Sequence, residues 1–170
     1  PESDWEWLAL AQHHCLPTRL LDWTINPLIG LWFAVCKSEK EKSGNGVVWM
    51  FKPSEEAIAS EGYVLKTPPN KITKTMVFTP THITPRIRAQ AGCFTIHLYQ
   101  KRQLSFLPLE RQAKYKRVLS KLVIPSNSFA SIRFDLDRVG VNEASIFPDM
   151  DGLCRYLAWL HTIAEDESFK

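Results

Sequence analysis

The spacing of apolar and polar residues predicts two helices within the first 36 positions. Ser3 and Glu6 have the spacing of a capping box, which predicts a helix from about Asp4 to His13. Asn26-Pro27 is a strong helix start, because asparagine caps the first turn and proline lacks only an N–H that this turn leaves unbonded. The helix that follows, over about 28–36, is apolar nearly all round, so we expect it to be central and buried.

The rest of the chain is predicted to contain strands and two further helices. Alternation and short apolar runs predict strands over 18–24, 47–51, 75–79, 93–98 and 116–124. We expect the strand 47–51 to be buried on both faces. Apolar stripes at helical spacing predict helices from about 127 to 139 and from about 149 to 165. The pattern therefore predicts an α+β fold in one domain over 1–170. It has a small mixed or antiparallel sheet, the buried central helix and two C-terminal helices.

The composition is that of a globular protein. The 170 residues are 45% hydrophobic and 23% charged. No apolar run approaches the roughly 18–20 residues of a membrane span, so we expect no membrane partner. The four cysteines, Cys15, Cys36, Cys93 and Cys154, form no C-x-x-C pair. Their spacing predicts small buried thiols in a reducing cytoplasm rather than a disulfide framework or a metal site.

Charge is unevenly distributed, although the net charge is only +3. Residues 101–121 include seven basic residues and one acid, and residues 135–167 include eight acids and two arginines. Two solvated faces would explain this distribution. The alternative is a basic strip for a phosphate-bearing partner, and its candidate nucleic-acid contacts are Lys114, Lys116 and Arg117.

The densest group of reactive side chains lies between residues 12 and 24. It contains two imidazoles, a guanidinium, a carboxylate and an indole, on His13, His14, Arg19, Asp22 and Trp23. Such groups beside a buried helix are unfavourable unless they are paired, so they form either a satisfied polar cluster or a site. Adjacent histidines point about 100° apart on a helix, so His13 and His14 are poorly placed to share a metal ion. A hydrolase that uses His14 with Asp22 is a less favoured alternative.

Two later stretches carry further polar candidates. Arg86 and Gln90 precede Gly92, which opens a strand, and arginines there are suited to phosphate oxygens. A solvated turn would explain the same residues. Asp149 and Asp151, near the start of the last helix, are better explained by the helix dipole than by metal binding.

These stretches together resemble the FRG domain family. Order and spacing agree in QHHCLPTRLLDWTINPL at 12–28, RIRAQAGCF at 86–94 and FPDMDGL at 147–153. Cys15 stands where the family usually has glycine, which puts that turn in question. The Phe-Arg-Gly stretch that names the family would lie before Pro1, so the resemblance implies a fragment or a divergent member.

A more distant resemblance concerns the ADP-ribosyltransferases. A strand over 20–24 that ends in Thr24, followed by a helix over 28–34, is similar to their central segment, with Gly30 at an alanine position. This resemblance implies that NAD is bound as a substrate. Gln90 lies near the region of the catalytic glutamate of those enzymes, where an amide can bond a ribose hydroxyl but cannot stabilise positive charge as a carboxylate does.

The two resemblances imply a nucleotide site with an acceptor that is nucleic acid or protein. The implied catalytic residues are His14, Arg19 and Gln90. The implied nucleotide contacts are His13, Asp22, Trp23, Thr24 and Arg86. The alternative is a non-catalytic recognition or sensor module of a larger defence-type protein, in which the polar cluster is structural. If the site exists, we expect His14, Arg19, Asp22, Arg86 and Gln90 to face one cleft.

Overall fold

The chain is interleaved between two compact units. The computed structural model describes residues 1–37, 44–81, 84–100 and 105–166, with 162–166 as helix backbone only. The first unit contains Pro1–Trp23, Met50–Ile83 and Gly92–Ser120, and the second contains Thr24–Trp49, Thr84–Ala91 and Lys121–Lys170. The prediction of one domain over 1–170 stays a prediction.

The described elements make an α+β fold, as predicted. The helices are α1 Asp4–His13, α2 Pro27–Val35, α3 Glu61–Lys66, α4 Pro85–Ala89, α5 Phe129–Arg138, α6 Glu143–Ile146 and α7 Met150–Asp166. The strands are β1 Leu20–Thr24, β2 Gly46–Phe51, β3 Met76–Phe78, β4 Gly92–Ile96, β5 Tyr99–Gln100, β6 Ser105–Phe106 and β7 Leu119–Ile124. They form a three-stranded sheet in the order β1-β4-β3 and two pairs, β2-β7 and β5-β6. Strands β3 and β4 are antiparallel, with Met76 opposite Ile96.

Capping groups fix the helices that the sequence predicted. Ser3 Oγ accepts from the Glu6 N–H, and α1 has the predicted bounds. The Glu6 carboxylate, in a residue only 5% exposed, accepts the N–H groups of Glu2 at 2.7 Å and of Thr81 at 3.0 Å. Asn26 Oδ1 caps the first turn of α2. Helix α1 is thereby tied to a segment 75 residues away.

The first unit has an aromatic core beside its sheet. Trp5 of α1 is fully buried, and its ring meets Phe78 of β3 edge-on at 5.0 Å between centroids. Phe78 in turn stacks on Phe94 of β4 at 5.5 Å. The Trp5 indole N–H also donates to the Thr67 carbonyl at 2.7 Å. The start of the chain therefore packs directly on the strands that hold the polar groups described below.

The second unit is built on α2. Its buried apolar cluster joins α2 to α5, α6 and the end of β7, through Ile29, Trp32, Ala34, Val35, Ile124, Phe129, Leu136 and Ile146. Leu28 and Phe33 of α2 remain 41% and 42% exposed. Helix α2 is therefore the central, buried helix that the sequence predicted, and Leu28 and Phe33 mark the side that the cluster leaves exposed.

Burial of β2 was predicted incorrectly. Val47, Trp49 and Met50 are 36%, 44% and 50% exposed. Strand β2 pairs with β7 in a two-stranded sheet, and these exposures show that its two faces are not both covered. The prediction that the cysteines are buried is confirmed for Cys93 and wrong for Cys15 and Cys154, which are exposed.

Candidate functional site

The turn after α1 ends the helix with a left-handed residue. The Cys15 N–H donates to the Gln12 carbonyl at 2.9 Å, and the Leu16 N–H donates to the Ala11 carbonyl at 3.0 Å. These two bonds define a Schellman motif, in which Cys15 is the residue that adopts positive φ, here +64°. The backbone therefore holds the conformation that glycine favours, although a cysteine stands there.

A short polar bridge ties this turn to the start of β1. Gln12 donates through Nε2 to Asp22 Oδ2 at 2.9 Å, and its Oε1 accepts the hydroxyl of Thr18. Thr18 Oγ1 also accepts the Leu20 N–H at 3.1 Å. Asp22, a predicted nucleotide contact, therefore has a protein partner and stabilises the loop between α1 and β1.

Arg19 is directed toward main-chain carbonyls of its own unit. Nε donates to the carbonyl of His97 at 3.1 Å, Nη2 donates to the same oxygen, and Nη1 donates to the Pro69 carbonyl at 3.0 Å. Its guanidinium carbon also lies 5.3 Å from the centroid of the Phe106 ring. Burial lowers the pKa of Arg19 from its ordinary value. These contacts hold three chain segments together, which is a structural role.

The Trp23 indole begins a chain of hydrogen bonds through β4. Trp23 Nε1–H donates to Thr95 Oγ1 at 3.0 Å, and Thr95 Oγ1 lies 2.9 Å from His97 Nε2. His97 Nδ1 lies 3.3 Å from the Leu107 carbonyl, which can only accept. The neutral Nδ1–H tautomer satisfies every member of this chain, because Thr95 then donates to Nε2 and Nδ1–H donates to Leu107. The indole N–H of Trp23 is therefore used in a hydrogen bond within the protein.

Burial favours that neutral form of His97. Thr95 is 0% exposed and His97 7% exposed. Burial is the main cause that lowers the pKa of His97, and the positive charge of Arg19 acts in the same direction. The hydrogen bond to the Leu107 carbonyl and the charge of Glu110 oppose the shift. The network is therefore arranged around an uncharged imidazole.

The same network continues on the other side of Leu107. Gln112 Nε2 donates to the Leu107 carbonyl at 3.0 Å and to Thr75 Oγ1 at 3.3 Å. Tyr115 donates its hydroxyl to the Thr75 carbonyl at 3.2 Å. Thr75, Gln112 and Tyr115 are all buried. No pattern in the sequence singled out these three residues. The signal that could have indicated the network is Thr95 and His97, which alternate with apolar residues along β4 and just after it.

The two adjacent histidines lie at the end of α1. Their rings meet edge-on, with centroids 5.0 Å apart. His13 is half-buried and His14 is exposed. Across the described part of the chain, no group of three or more His, Cys, Asp and Glu residues could hold a metal ion.

In the second unit, Thr24 closes the turn into α2. Its Oγ1 accepts the Asn26 N–H at 3.0 Å, while Asn26 Oδ1 accepts the Leu28 N–H at 3.0 Å. A Cβ built on Gly30 would lie 3.6 Å from the Thr24 methyl, an ordinary contact. Thr24 therefore acts as a turn residue at the entrance to the helix.

Arg86 and Gln90 lie one helical turn apart on α4 and its C-terminal cap. Thr84 Oγ1 caps α4 by accepting the Ile87 N–H at 3.2 Å. The guanidinium carbon of Arg86 lies 4.5 Å from the centroid of the Phe147 ring. Within the described residues, the N–H groups of Arg86 have no hydrogen-bond partner and its charge has no carboxylate partner. Gln90 Nε2 is buried and also has no hydrogen-bond partner among those residues.

These geometries can be set beside known proteins. The FRG domain model matches residues 1–43. No curated protein and no solved structure matches the chain with statistical significance. The FRG match covers about a quarter of the chain and contains α1, β1 and α2. The resemblance to ADP-ribosyltransferases stays a prediction.

The FRG-matched segment, 1–43, contributes to both units, and so does the predicted site. His14, Arg19 and Asp22 belong to the first unit, whereas Arg86 and Gln90 belong to the second. Their gathering in one cleft therefore stays a prediction. A cavity of about 240 Å³ in the first unit lies at the start of α1, lined among others by Ser3, Trp5, Trp7, Leu65 and Lys66, and none of the predicted site residues lines it.

The predicted basic face is exposed where the structure describes it. Lys114, Lys116 and Arg117 are exposed, and Lys114 Nζ lies 4.5 Å from the centroid of the Tyr115 ring. The Lys52 N–H donates to the Val118 carbonyl at 2.9 Å, so Lys52 lies next to this group. Residues 101–104, which begin the basic run, lie outside the described residues. No helix in the described part of the chain is long and apolar enough to cross a membrane.

Proposed function

We propose that the chain binds NAD or a related nucleotide and that Arg86 and Gln90 of the second unit contact its phosphates and ribose. The observation that carries this proposal is the pair of open donors on α4. A half-buried guanidinium and a buried amide N–H, one turn apart, have no protein acceptor among the described residues. A buried donor without an acceptor costs about 1–3 kcal/mol, so a fold that keeps one gains when a ligand supplies the acceptor.

Arg86 is better suited to a phosphate than Arg19. The guanidinium of Arg19 already donates three hydrogen bonds to carbonyls. An anion would have to replace those bonds, whereas the fork of Arg86 is free for a bidentate contact. The sequence offered Arg19 as a catalytic residue and Arg86 as a nucleotide contact, and the hydrogen bonds favour Arg86 as the residue that meets the phosphates.

A second candidate function is supported by the first unit. The side chains of Arg19, Asp22 and Trp23 are all bonded to protein atoms. This favours the alternative in which the polar cluster of the FRG-matched segment is structural and the domain is a recognition module. The two proposals are compatible if recognition occurs through α4 and involves no transfer chemistry.

Thermal unfolding with added nucleotide tests the binding proposal. We expect millimolar NAD or ADP-ribose to raise the melting temperature, since a ligand at 100 times its Kd stabilises the folded state by about 2.7 kcal/mol. Arg86→Gln should remove that rise. Arg88→Gln, which removes an exposed charge from the same helix, is the matched control and should keep it. If no nucleotide changes the melting temperature of the unsubstituted chain, the binding proposal is wrong.

Two further measurements separate the alternatives. Release of nicotinamide from bound NAD indicates transfer or hydrolysis, and stabilisation without release indicates a recognition module. Arg19→Gln should lower the melting temperature without nucleotide but leave the nucleotide-induced rise intact. If Arg19→Gln instead leaves stability unchanged and abolishes the rise, Arg19 contacts the ligand and the structural assignment is wrong.

The acceptor of any transfer is proposed to be nucleic acid, bound at Lys114, Lys116 and Arg117 with Lys52. Binding of single-stranded DNA to such a patch falls steeply with salt, by a slope of about −0.7 for each phosphate neutralised. Replacement of Lys116 and Arg117 by glutamine should reduce this slope by about 1 to 2. An unchanged slope would exclude these residues as the contact.

A further inference from the structure

We infer that Phe147 is the positioning residue that orients Arg86 for its ligand, and that Arg155 completes the same platform. This inference rests on the proposed function, because it concerns how the phosphate contact of α4 is held. The motif at 147–153 is one of the stretches that resemble the FRG family. The sequence indicated no role for it except that of Asp149 and Asp151 at the start of the last helix.

The Phe147 ring is shared by two guanidinium groups. The guanidinium carbon of Arg86 lies 4.5 Å from the ring centroid and that of Arg155 lies 5.2 Å from it. Guanidinium faces are weakly hydrated and pack well on aromatic rings, while their N–H groups lie in the plane and stay available at the edge. The ring can therefore fix the orientation of Arg86 without using any of its donors.

Close packing fixes the position of the Phe147 ring. A Cβ built on Gly152 would lie 2.0 Å from the Phe147 carbonyl oxygen and 2.7 Å from its Cβ, so only glycine permits this approach of α7. Trp32 and Phe33 of α2 meet the ring edge-on, with centroid distances of 6.0 and 6.2 Å. The Gly152 N–H donates to Asp149 Oδ1 at 2.7 Å, which caps the same turn.

Charge distinguishes the two arginines. Arg155 Nε lies 2.6 Å from Glu143 Oε1, and this hydrogen bond is the main cause that raises the pKa of Arg155. Asp149 and Asp151 add attraction in the same direction. The positive charge of Arg155 is therefore balanced by neighbouring carboxylates. Arg86, on the same ring, forms no ion pair with a carboxylate of the described residues. Its positive charge is therefore available to an anionic ligand.

Nuclear magnetic resonance tests the placement before any ligand is added. Ring currents of Phe147 should shift the side-chain protons of Arg86 upfield in the unsubstituted chain, and Phe147→Leu should return them to ordinary values. Phe147→Tyr keeps the ring and should keep the shift. If Arg86 shows no upfield shift in the unsubstituted chain, the inference is overturned, whether or not a nucleotide binds.

Binding then tests the consequence. Phe147→Leu should weaken binding of ADP-ribose about threefold to tenfold, and Phe147→Tyr should restore it. In a double-mutant cycle with Arg86→Gln, the two effects should not add, because the ring acts through Arg86. Additive effects, or an unchanged Kd in Phe147→Leu, would overturn the inference. Absence of ADP-ribose binding by the unsubstituted chain would refute the proposed function, and the resonance test would still decide the positioning role.

Discussion

Replacement of Cys15 by glycine is expected to stabilise the protein. Cys15 has φ +64° at the end of α1, where the Schellman bonds from Cys15 to Gln12 and from Leu16 to Ala11 hold the turn. A side chain in this region costs roughly 1–2 kcal/mol, and glycine avoids that cost. Glycine also loses more conformational entropy on folding than other residues, which offsets about 0.5–1 kcal/mol of this gain. The expected net gain is about 0.5–1 kcal/mol, or roughly 1–4 °C in melting temperature for a chain of this size.

The assay is reversible urea unfolding at neutral pH with a reducing agent, followed by far-ultraviolet circular dichroism. Cys15→Ala is the control, because alanine keeps the Cβ and removes only the thiol, so it should not give the gain. Ala91, which has φ +46°, offers an independent test at another helix end, and Ala91→Gly should stabilise by a similar amount. If Cys15→Gly is neutral or destabilising while Cys15→Ala is neutral, the turn does not hold Cys15 in the left-handed region.

Three further predictions concern buried or closely packed groups. The pKa of His97 is lowered in the folded chain, so between the folded-state pKa and about 6.5 the unfolded state binds the extra proton. The free energy of unfolding therefore decreases as the pH is lowered through this range, by up to about 1.4 kcal/mol per unit. His97→Gln should flatten that part of a melting-temperature profile, and an unchanged profile would contradict the assignment. Glu6→Ala should cost about 2–4 kcal/mol in urea unfolding, because two backbone N–H groups lose the charged acceptor of a buried side chain. An effect below about 1 kcal/mol would mean that water replaces the carboxylate. Gly152→Ala should cost at least about 2 kcal/mol, since its Cβ overlaps Phe147, whereas Gly62→Ala in open space should be neutral or stabilising. Equal effects of the two glycine substitutions would refute the close approach.

Signals that act over one helical turn predicted the long helices well. Ser3 caps α1 and Asn26 caps α2 through bonds to residues two or three positions away, so these helix starts can be read from sequence. Helices α3, α4 and α6 have only four to six residues and were not predicted, because such lengths hold fewer than two turns of apolar periodicity.

Contacts between distant segments decided what the sequence left open. The acceptors of Arg19 lie 50 and 78 residues away in sequence, at Pro69 and His97, so no local pattern distinguishes a site arginine from a structural one. The same holds for Trp23, whose partner Thr95 is 72 residues away. The exposure of β2 likewise depends on its pairing with β7, which spacing along one strand cannot specify.

Hydrogen bonding distinguishes the FRG-matched segment from the proposed ligand contact. In the first unit, the FRG-matched segment directs Arg19 and Trp23 into hydrogen bonds with residues outside it. Gln12 bonds Thr18 and Asp22 within the segment. A substitution there removes ties between strands and loops, so its first effect should be on stability. Arg86 and Gln90 lie outside the matched residues and keep their donors open within the described chain. Because only an open donor gains from a new acceptor, loss of the proposed nucleotide binding without loss of stability should be confined to Arg86 and Gln90, whereas a substitution of Phe147 should lower stability as well because its ring packs on α2.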